Sequence, residues 1–207
     1  FPCQPFSYCG NRLGQDDKRC IFSYCIKTIK ETNPKIFILE NVKGIMTIDD
    51  GNYIKKIKSD LNKLKDYEVN INVYNTKDYG IPQNRERVFI VGLLKSHMKK
   101  KYEVPNKKPI KDIKNFVQNI RREKNDEVVY DLSEYKGPFV DISFLKYISK
   151  ESYQTYSPTI ISSGNLLSTK YGRKATIQEL LALQGFPITF KQVVSDHQLK
   201  KQVGNSM

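Results

Sequence analysis

The chain has 207 residues, of which 39% are hydrophobic and 11% aromatic, enough for one sizeable core or for a core with a small second lobe. Lysine and arginine outnumber aspartate and glutamate by 35 to 22, and the formal charge of +13 favours a polyanionic partner, although a merely lysine-rich surface would look the same. No apolar run of about 18 residues and no signal segment is present, so we expect a cytoplasmic protein without a membrane span.

The four cysteines all lie within the first 25 residues, at spacings that match neither a CxxC pair nor a Cys/His zinc pattern. We therefore expect no metal site. The first of them, Cys3, precedes a polar stretch that contains Gly10 and Gly14. A cysteine in front of a mobile polar loop is more typical of an exposed nucleophile than of a core thiol, but the spacing alone leaves packing open.

The first 94 residues alternate between helical and strand patterns. Apolar side chains at 22–29 share one helical face, and this pattern stops near Pro34. KIFILENV at 35–42 is a nearly continuous apolar run, which predicts a buried parallel strand. A second helix is predicted at 54–64, and further strands at 69–75 and 87–94. This order predicts an α/β sheet with helical crossovers.

The pattern changes near Lys95, where a lysine-rich stretch with two prolines begins. Short mixed segments follow, which predict a small irregular lobe. Regularity returns at TIQE, a capping box that predicts a helix from Thr176 to a stop at Gly185. The sequence therefore divides into residues 1–94, 95–172 and 173–207.

Polar side chains interrupt three stretches that would otherwise be buried or featureless. Glu40 follows an apolar strand, at the strand end where open α/β sheets place their ligands. Gln83, Arg85 and Arg87 share one side of an incoming strand and form a comb suited to phosphate or base oxygens. The GNS sequence near the end offers a close backbone approach at Gly204 and small hydrogen-bonding groups. Each signal taken alone also has an ordinary structural explanation.

Five stretches, in this order, resemble motifs of the DNA (cytosine-5)-methyltransferase family of the bacterial restriction-modification type: PCQPFS, LENVKG, QNRER, RKATIQELLALQGFP and QVGNS. The resemblance covers residues 1–94 and 173–207. It implies the C-terminal part of a Rossmann-like, S-adenosylmethionine-dependent methyltransferase sheet. It makes 1–94 the catalytic domain, 95–172 a small irregular target-recognition lobe, and 173–207 the return to the catalytic domain and cofactor pocket.

The resemblance also implies roles for single residues. Cys3 would be the nucleophile that adds to C6 of a flipped cytosine in duplex DNA. Glu40 would supply the proton that neutralises the ring, and Arg87 would hold the base oxygen O2. Arg85 would position the base or contact a phosphate. The segment from Gln4 to Arg19 would close over the base.

The same resemblance implies contacts with DNA and with S-adenosylmethionine, and no metal. The DNA contacts would come from Gln4, Ser7, Gln83 and Thr159. The cofactor contacts would come from Pro2, Phe22, Asn205 and Ser206. Lysines at 99–101 and 107–108 would add phosphate affinity that does not depend on DNA sequence.

The family's glycine-rich cofactor loop and its acidic ribose-binding residue have no counterpart in these 207 residues. We expect an incomplete sequence, with a gene remnant and one subunit of a split enzyme as alternatives. In the last case a second polypeptide would supply the cofactor-binding half. We accordingly expect the chain alone not to methylate DNA. A tRNA cytosine-5 methyltransferase and a non-catalytic DNA-binding remnant are the alternative functions.

Overall fold

The computed structural model describes residues 1–3, 5–6, 20–109, 113, 116, 132–143, 155–162, 165–187 and 189–206. The chain forms two compact units. The first unit contains Phe1–Tyr74 and Glu86–Pro105, and the second contains Asn75–Arg85 and Asn106–Met207. None of the helices in the described ranges has the length and hydropathy needed to cross a bilayer. The functional division at residues 94 and 172 stays a prediction.

The part of the first unit that the structure describes contains two helices and a three-stranded sheet. The elements are α1 (Phe22–Thr32), β1 (Ile36–Val42), α2 (Asn52–Asn62), β2 (Tyr67–Asn75) and β3 (Glu86–Leu94). The strand order is β1-β3-β2. Short 3-10 turns cover Lys43–Met46, Ile48–Gly51 and Lys95–His97. The helices lie where the apolar periodicity predicted them, and α1 ends at Asn33, whose positive φ of 42° and position before Pro34 prevent continuation.

Strand β1 differs from the expectation of a buried parallel strand. It pairs with β3 in antiparallel register, from Ile36 opposite Leu93 to Val42 opposite Arg87. Ile36 and Ile38 are 58% and 62% exposed, so one face of β1 is open while the other is buried. An apolar run predicts a strand, but it carries no information about which strand lies beside it or in which direction. The prediction of a parallel pair was therefore wrong.

The core of the first unit lies between the helices and one face of the sheet. Phe37 projects to this face, and its ring lies over Gly92, its register partner in β3, where a Cβ atom would occupy the same space. Burial of each fully enclosed isoleucine or leucine contributes roughly 1.5–3 kcal/mol. The apolar residues that are at most 6% exposed include Phe6, Phe22, Ile45, Ile54, Ile57, Leu61, Val88 and Ile90.

The described residues of the second unit form a small antiparallel sheet and two helices. The sheet has the order β4 (Phe139–Asp141), β5 (Leu166–Ser168) and β6 (Arg173–Lys174). Helix α3 (Ile177–Gln184) starts with the predicted capping box, because the hydroxyl of Thr176 and the carboxylate of Glu179 each accept a backbone N–H of the other residue. It stops at the predicted Gly185. Helix α4 (Asp196–Asn205) follows.

Gly204 is a packing position in α4. It is buried, and an added Cβ would collide with the backbone of Ile161 and Ser162. The glycine expected to admit a ligand therefore admits a neighbouring segment of the same unit.

Replacing Gly204 with alanine should lower the free energy of unfolding by about 1–3 kcal/mol, because backbone atoms must move to make room. The direction of the change in unfolding free energy is informative, because alanine is intrinsically favoured over glycine in a helix by about 1 kcal/mol. Urea unfolding followed by circular dichroism measures it. Gln202→Ala, at an exposed site of the same helix, should stay within about 0.5 kcal/mol of wild type. A stabilised Gly204→Ala variant would contradict the packing role.

Candidate active site

Cys3 sits in a short turn that is anchored to the core of the first unit. The backbone N–H of Phe6 donates to the carbonyl of Cys3 at 2.9 Å. Phe6 has no exposed surface, and its ring stacks on Tyr53 with the centroids 5.1 Å apart. Cys3 itself is partly exposed and its thiol is free. The turn therefore holds a reachable thiol on a rigid support, as a nucleophile requires.

Asn41 ties this segment to strand β1. Its side chain is 2% exposed, and its Nδ2 donates to the carbonyls of Phe1 at 3.2 Å and Pro2 at 3.4 Å. Its Oδ1 accepts the backbone N–H of Val42. The strand that carries Glu40 thus also holds the residues directly before Cys3. The sequence predictions did not assign Asn41 to the site, although an amide in a buried strand already indicated a specific partner.

Replacing Asn41 with alanine should destabilise the first unit by about 1–3 kcal/mol, because it removes a buried donor and leaves two backbone carbonyls without it. Urea unfolding provides the measurement. Asn62→Ala, at the exposed end of α2, is the matched control and should change stability little. Equal effects of the two substitutions would mean that Asn41 does not hold the Cys3 segment.

Glu40 and Arg87 form an ion pair across strands β1 and β3. Because Glu40 lies opposite Phe89 and Val42 opposite Arg87, the two charged residues are diagonal neighbours on the same face of the sheet. Arg87 Nε lies 3.0 Å from Glu40 Oε1, and the side chains are 13% and 29% exposed. Arg87 also donates to the backbone carbonyl of Glu86 at 2.7 Å. The guanidinium is therefore fixed from two sides.

The charge of Arg87 links the pair to Cys3. Burial lowers the pKa of the Arg87 guanidinium, while the negative charges that Glu40 and Cys3 can carry act in the opposite direction. Arginine stays protonated despite this shift. A permanent cation, a carboxylate and a free thiol therefore lie within one unit, close enough to interact electrostatically. This set can add a nucleophile to an electrophilic ring and stabilise the charge that develops there.

Gln83 and Arg85 do not form the expected comb with Arg87. Strand β3 begins only at Glu86, and Gln83 and Arg85 are buried in the second unit, with 0% and 2% of their surface exposed. Gln83 donates to the carbonyl of Leu183 and the side chain of Gln184, and accepts the N–H of Ile160. The comb assumed that the strand had already started at Gln83, and this assumption was wrong.

Thr159 lies beside the QNRER stretch within the second unit. Residues Gln83 and Ser157 form a parallel bridge, and Asn84 donates its backbone N–H to Ser157 at 2.8 Å. The hydroxyl of Thr159 donates to the carbonyl of Asn84. The structure thus brings together two stretches about 75 residues apart, and the Thr159 hydroxyl is occupied by backbone.

The predicted cofactor residues of the first unit offer little to a ligand here. Phe22 is 4% exposed, and its ring centroid lies 5.6 Å from that of Phe1. Such a ring does not present a free face to an adenine. The carbonyl of Pro2 already faces Asn41. Neither residue meets the requirement of an open adenine-binding surface.

The predicted cofactor residues of the second unit, Asn205 and Ser206, differ in what they can offer a ligand. The Ser206 hydroxyl donates to the Val203 carbonyl at 2.8 Å, so it is occupied within helix α4. The Asn205 side chain is exposed and makes no hydrogen bond within the described part of the chain. Its amide can both donate and accept, which suits the hydroxyl and carboxylate groups of a polar cofactor. Of the four candidates, Asn205 fits a ligand best.

The remaining predictions concern the loop and the surface lysines. Gln4, Ser7 and most of the stretch from Gln4 to Arg19 lie outside the described residues. The lysines at 99–101 and 107–108 are exposed, and Lys107 forms an ion pair with Asp78 at 3.0 Å. Within the described ranges, no group of three or more His, Cys, Asp or Glu side chains is placed to hold a metal ion.

The chain shares its fold with solved structures of methyltransferases. Entamoeba histolytica methyltransferase EhMeth matches 99% of the chain with a TM-score of 0.59 at 18% identity, and the match covers 70% of that protein. A DNMT2 variant from Spodoptera frugiperda matches 99% of the chain with a TM-score of 0.60 at 18% identity, covering 73% of that protein. At this identity the likeness establishes the fold, which is α/β and methyltransferase-like.

Similarity to curated proteins extends over the whole chain. The chain is 35% identical over 229 aligned residues to the Type II methyltransferase M1.ScrFI of Lactococcus lactis subsp. cremoris, and the match covers 57% of that protein. It is 37% identical over 227 residues to the Type II methyltransferase M.HaeII of Haemophilus aegyptius, covering 68% of it. The chain thus spans about six tenths of the length of these relatives. The family model for C-5 cytosine-specific DNA methylases matches residues 1–207. The chain belongs to the C-5 cytosine-specific DNA methylase family.

Proposed function

We propose that this chain carries the reacting groups of a DNA (cytosine-5)-methyltransferase of a restriction-modification system. The observation that carries the proposal is the Glu40–Arg87 ion pair, held at 3.0 Å in the unit that also contains the free thiol of Cys3. Family membership and the Type II names of the relatives support the same activity.

Cys3 acts as the nucleophile. Cytosine C5 is too weak a nucleophile to accept a methyl group directly. Addition of the Cys3 thiolate to C6 breaks the C5=C6 double bond, and the electron pair moves into the ring. C5 then has enamine character and can form a new carbon–carbon bond. Transfer of the C5 proton to solvent later expels the thiolate and restores the ring.

Glu40 and Arg87 balance the charge that the addition creates. The protonated form of Glu40 donates its proton to ring N3 as negative charge arrives there, which leaves Glu40 as the carboxylate that pairs with Arg87. Glu40 also accepts a hydrogen bond from the exocyclic amine. Arg87 donates to O2 of the base. Because Arg87 Nε is committed to Glu40 and one terminal nitrogen to the Glu86 carbonyl, its remaining N–H groups are those available for O2.

S-adenosylmethionine, when bound, supplies the methyl group that C5 accepts. Asn205 would hold part of this cofactor through its exposed amide, with Ser206 fixing the backbone beside it. Pro2 and Phe22 would contribute only after their present contacts change. The residues of this chain therefore supply one part of a cofactor site.

Duplex DNA is the proposed substrate. The target cytosine must leave the stack before a thiol can reach C6, which costs a few kcal/mol of unpairing and unstacking. The exposed lysines at 99–101 and 107–108 would contribute phosphate attraction that weakens with added salt. Gln4 and Ser7 would contact the flipped base, while Gln83 and Thr159, which bind protein groups here, would support the DNA contacts indirectly.

The relatives give no support for a second polypeptide, since each is named as a Type II methyltransferase. The proposal therefore places the reacting groups and the DNA-binding region in one protein.

Transfer of a labelled methyl group tests the proposal. In a chimera, this chain replaces the matching 68% of M.HaeII, and the remaining residues of that enzyme are kept. The chimera is expected to label cytosine C5 in duplex DNA and to leave tRNA unlabelled. Labelling of tRNA alone would favour the RNA-modifying alternative, and DNA binding without labelling of either would favour a non-catalytic module.

A further inference from the structure

We propose that Arg85 serves the methyl-donor side of the reaction and not the DNA, as a positioning residue that fixes the last turn of helix α4. This inference rests on the proposed function in one respect, namely that Asn205 contacts the cofactor. In this arrangement the Arg85 guanidinium donates to backbone carbonyls of the protein. It acts through the backbone on either side of Asn205.

The guanidinium of Arg85 donates hydrogen bonds to three backbone carbonyls of the second unit. One terminal nitrogen donates to Ile160 at 2.8 Å, and the other donates to Gly204 at 3.1 Å and Ser206 at 2.6 Å. With the residue 2% exposed, a DNA phosphate could bind it only by displacing these partners. The surroundings of Arg85 therefore do not support the expected phosphate contact.

The end of α4 needs such a donor. The last four carbonyls of a helix have no N–H partner within the helix, and they carry the negative end of its dipole. A buried arginine at this end satisfies carbonyls and complements the dipole at once. Gly204 and Ser206 flank Asn205, so the backbone of Asn205 is held from both sides while its side chain stays exposed.

Glutamines reinforce the same end of α4. Gln184 donates its side-chain amide to the Ser206 carbonyl at 3.1 Å, so this carbonyl accepts two hydrogen bonds. Gln83 in turn donates to the Gln184 side chain at 2.7 Å and accepts from Ile160. The QNR stretch therefore holds the end of the GNS stretch through a buried network of hydrogen bonds, and each motif satisfies polar groups of the other.

The test uses the purified chain with two separate substitutions of Arg85 and one matched control. Arg85→Lys keeps the charge but loses the planar fork, and Arg85→Ala removes both. Arg173→Lys is the control, because Arg173 is also buried in the second unit but pairs with Glu179, at 2.8 Å and 3.0 Å. The readouts are amide hydrogen exchange, affinity for S-adenosylmethionine, and affinity for duplex DNA.

Amide exchange at Val203, Gly204 and Ser206 should accelerate about 10- to 100-fold in the Arg85 variants, with smaller changes elsewhere in the unit. Free guanidinium ion should restore protection from amide exchange in the Arg85→Ala variant, whereas it should only destabilise the Arg173→Lys variant. Affinity for S-adenosylmethionine should fall by a similar factor in the Arg85 variants, and affinity for DNA should be unchanged.

Even acceleration across the second unit, matched by Arg173→Lys, would make Arg85 an ordinary stabilising residue and would overturn the inference. Loss of DNA affinity with cofactor affinity intact would overturn it too. If the wild-type chain binds no S-adenosylmethionine, the cofactor role of Asn205 fails in this chain, and the exchange pattern with guanidinium rescue still decides whether Arg85 holds the end of α4.

Discussion

Replacing Cys3 with serine is expected to abolish covalent attachment of the protein to DNA in which 5-azacytosine replaces cytosine. The ring of 5-azacytosine has a nitrogen at position 5 without a hydrogen to lose, so a thiol that adds to C6 stays attached. A serine hydroxyl is a far weaker nucleophile at neutral pH than a thiol. In the M.HaeII chimera, the same change should lower methyl transfer by roughly 10⁴-fold or more. DNA affinity should be retained.

Cys25 provides the matched control for this experiment. It lies in α1 of the same unit, and burial raises the pKa of its thiol, so it carries less thiolate than an ordinary cysteine. Cys25→Ser should form the covalent complex as wild type does. A denaturing gel that resolves DNA-linked from free protein gives the readout. A covalent complex that survives Cys3→Ser but not Cys25→Ser would contradict the assignment.

Glu40→Gln should lower methyl transfer in the chimera by roughly 10²- to 10⁴-fold, because glutamine keeps the shape of the side chain but cannot supply the proton to N3. It also removes the counter-charge of Arg87, whose side chain is only 13% exposed. Leaving a largely buried cation without its carboxylate should cost on the order of 1–3 kcal/mol of stability. Single-turnover transfer of labelled methyl groups and urea unfolding measure the two effects.

Glu86→Gln separates this role from general surface charge. Glu86 is also a strand carboxylate in the first unit, and it pairs with Lys43 at 2.8 Å. Both side chains of that pair are 40–50% exposed, so its loss should cost at most about 1 kcal/mol and leave methyl transfer unchanged. If Glu86→Gln and Glu40→Gln reduce transfer equally, Glu40 has no specific part in the chemistry.

Local signals predicted much of the fold. The capping box at Thr176, the stop at Gly185 and the apolar periodicity of α1 and α2 each depend on residues within a few positions of one another. Such signals can be read directly from sequence. The existence of β1 and β3 was predicted in the same way, from short apolar runs.

Features set by distant partners could not be predicted in this way. The apolar run of β1 is compatible with either strand direction, and the antiparallel pairing depends on β3, about 50 residues later. The two-residue period that grouped Gln83 with Arg87 holds only inside a strand, whereas Gln83 forms an isolated bridge with Ser157. Arg85 was expected to serve in positioning or in phosphate contact, and no residue nearby in sequence indicates the carbonyls of Ile160, Gly204 and Ser206 as its partners.

The candidate site also combines features that could be predicted from nearby residues with features that depend on distant partners. Glu40 and Arg87 were each named as site candidates from separate stretches of sequence, and the 3.0 Å contact between them follows from the register of β1 and β3. Asn41 was given no role in the predicted site, since its hydrogen bonds to Phe1 and Pro2 exist only in the folded unit.

The central claim is that Cys3 attacks C6 of cytosine, and identification of the residue that carries the DNA adduct tests it most directly. The protein is cross-linked to 5-azacytosine DNA, digested with protease and nuclease, and fragmented in a mass spectrometer to locate the added base. We predict that the base is attached to Cys3. Attachment to Cys9, Cys20 or Cys25, with Cys3 unmodified, would contradict the account.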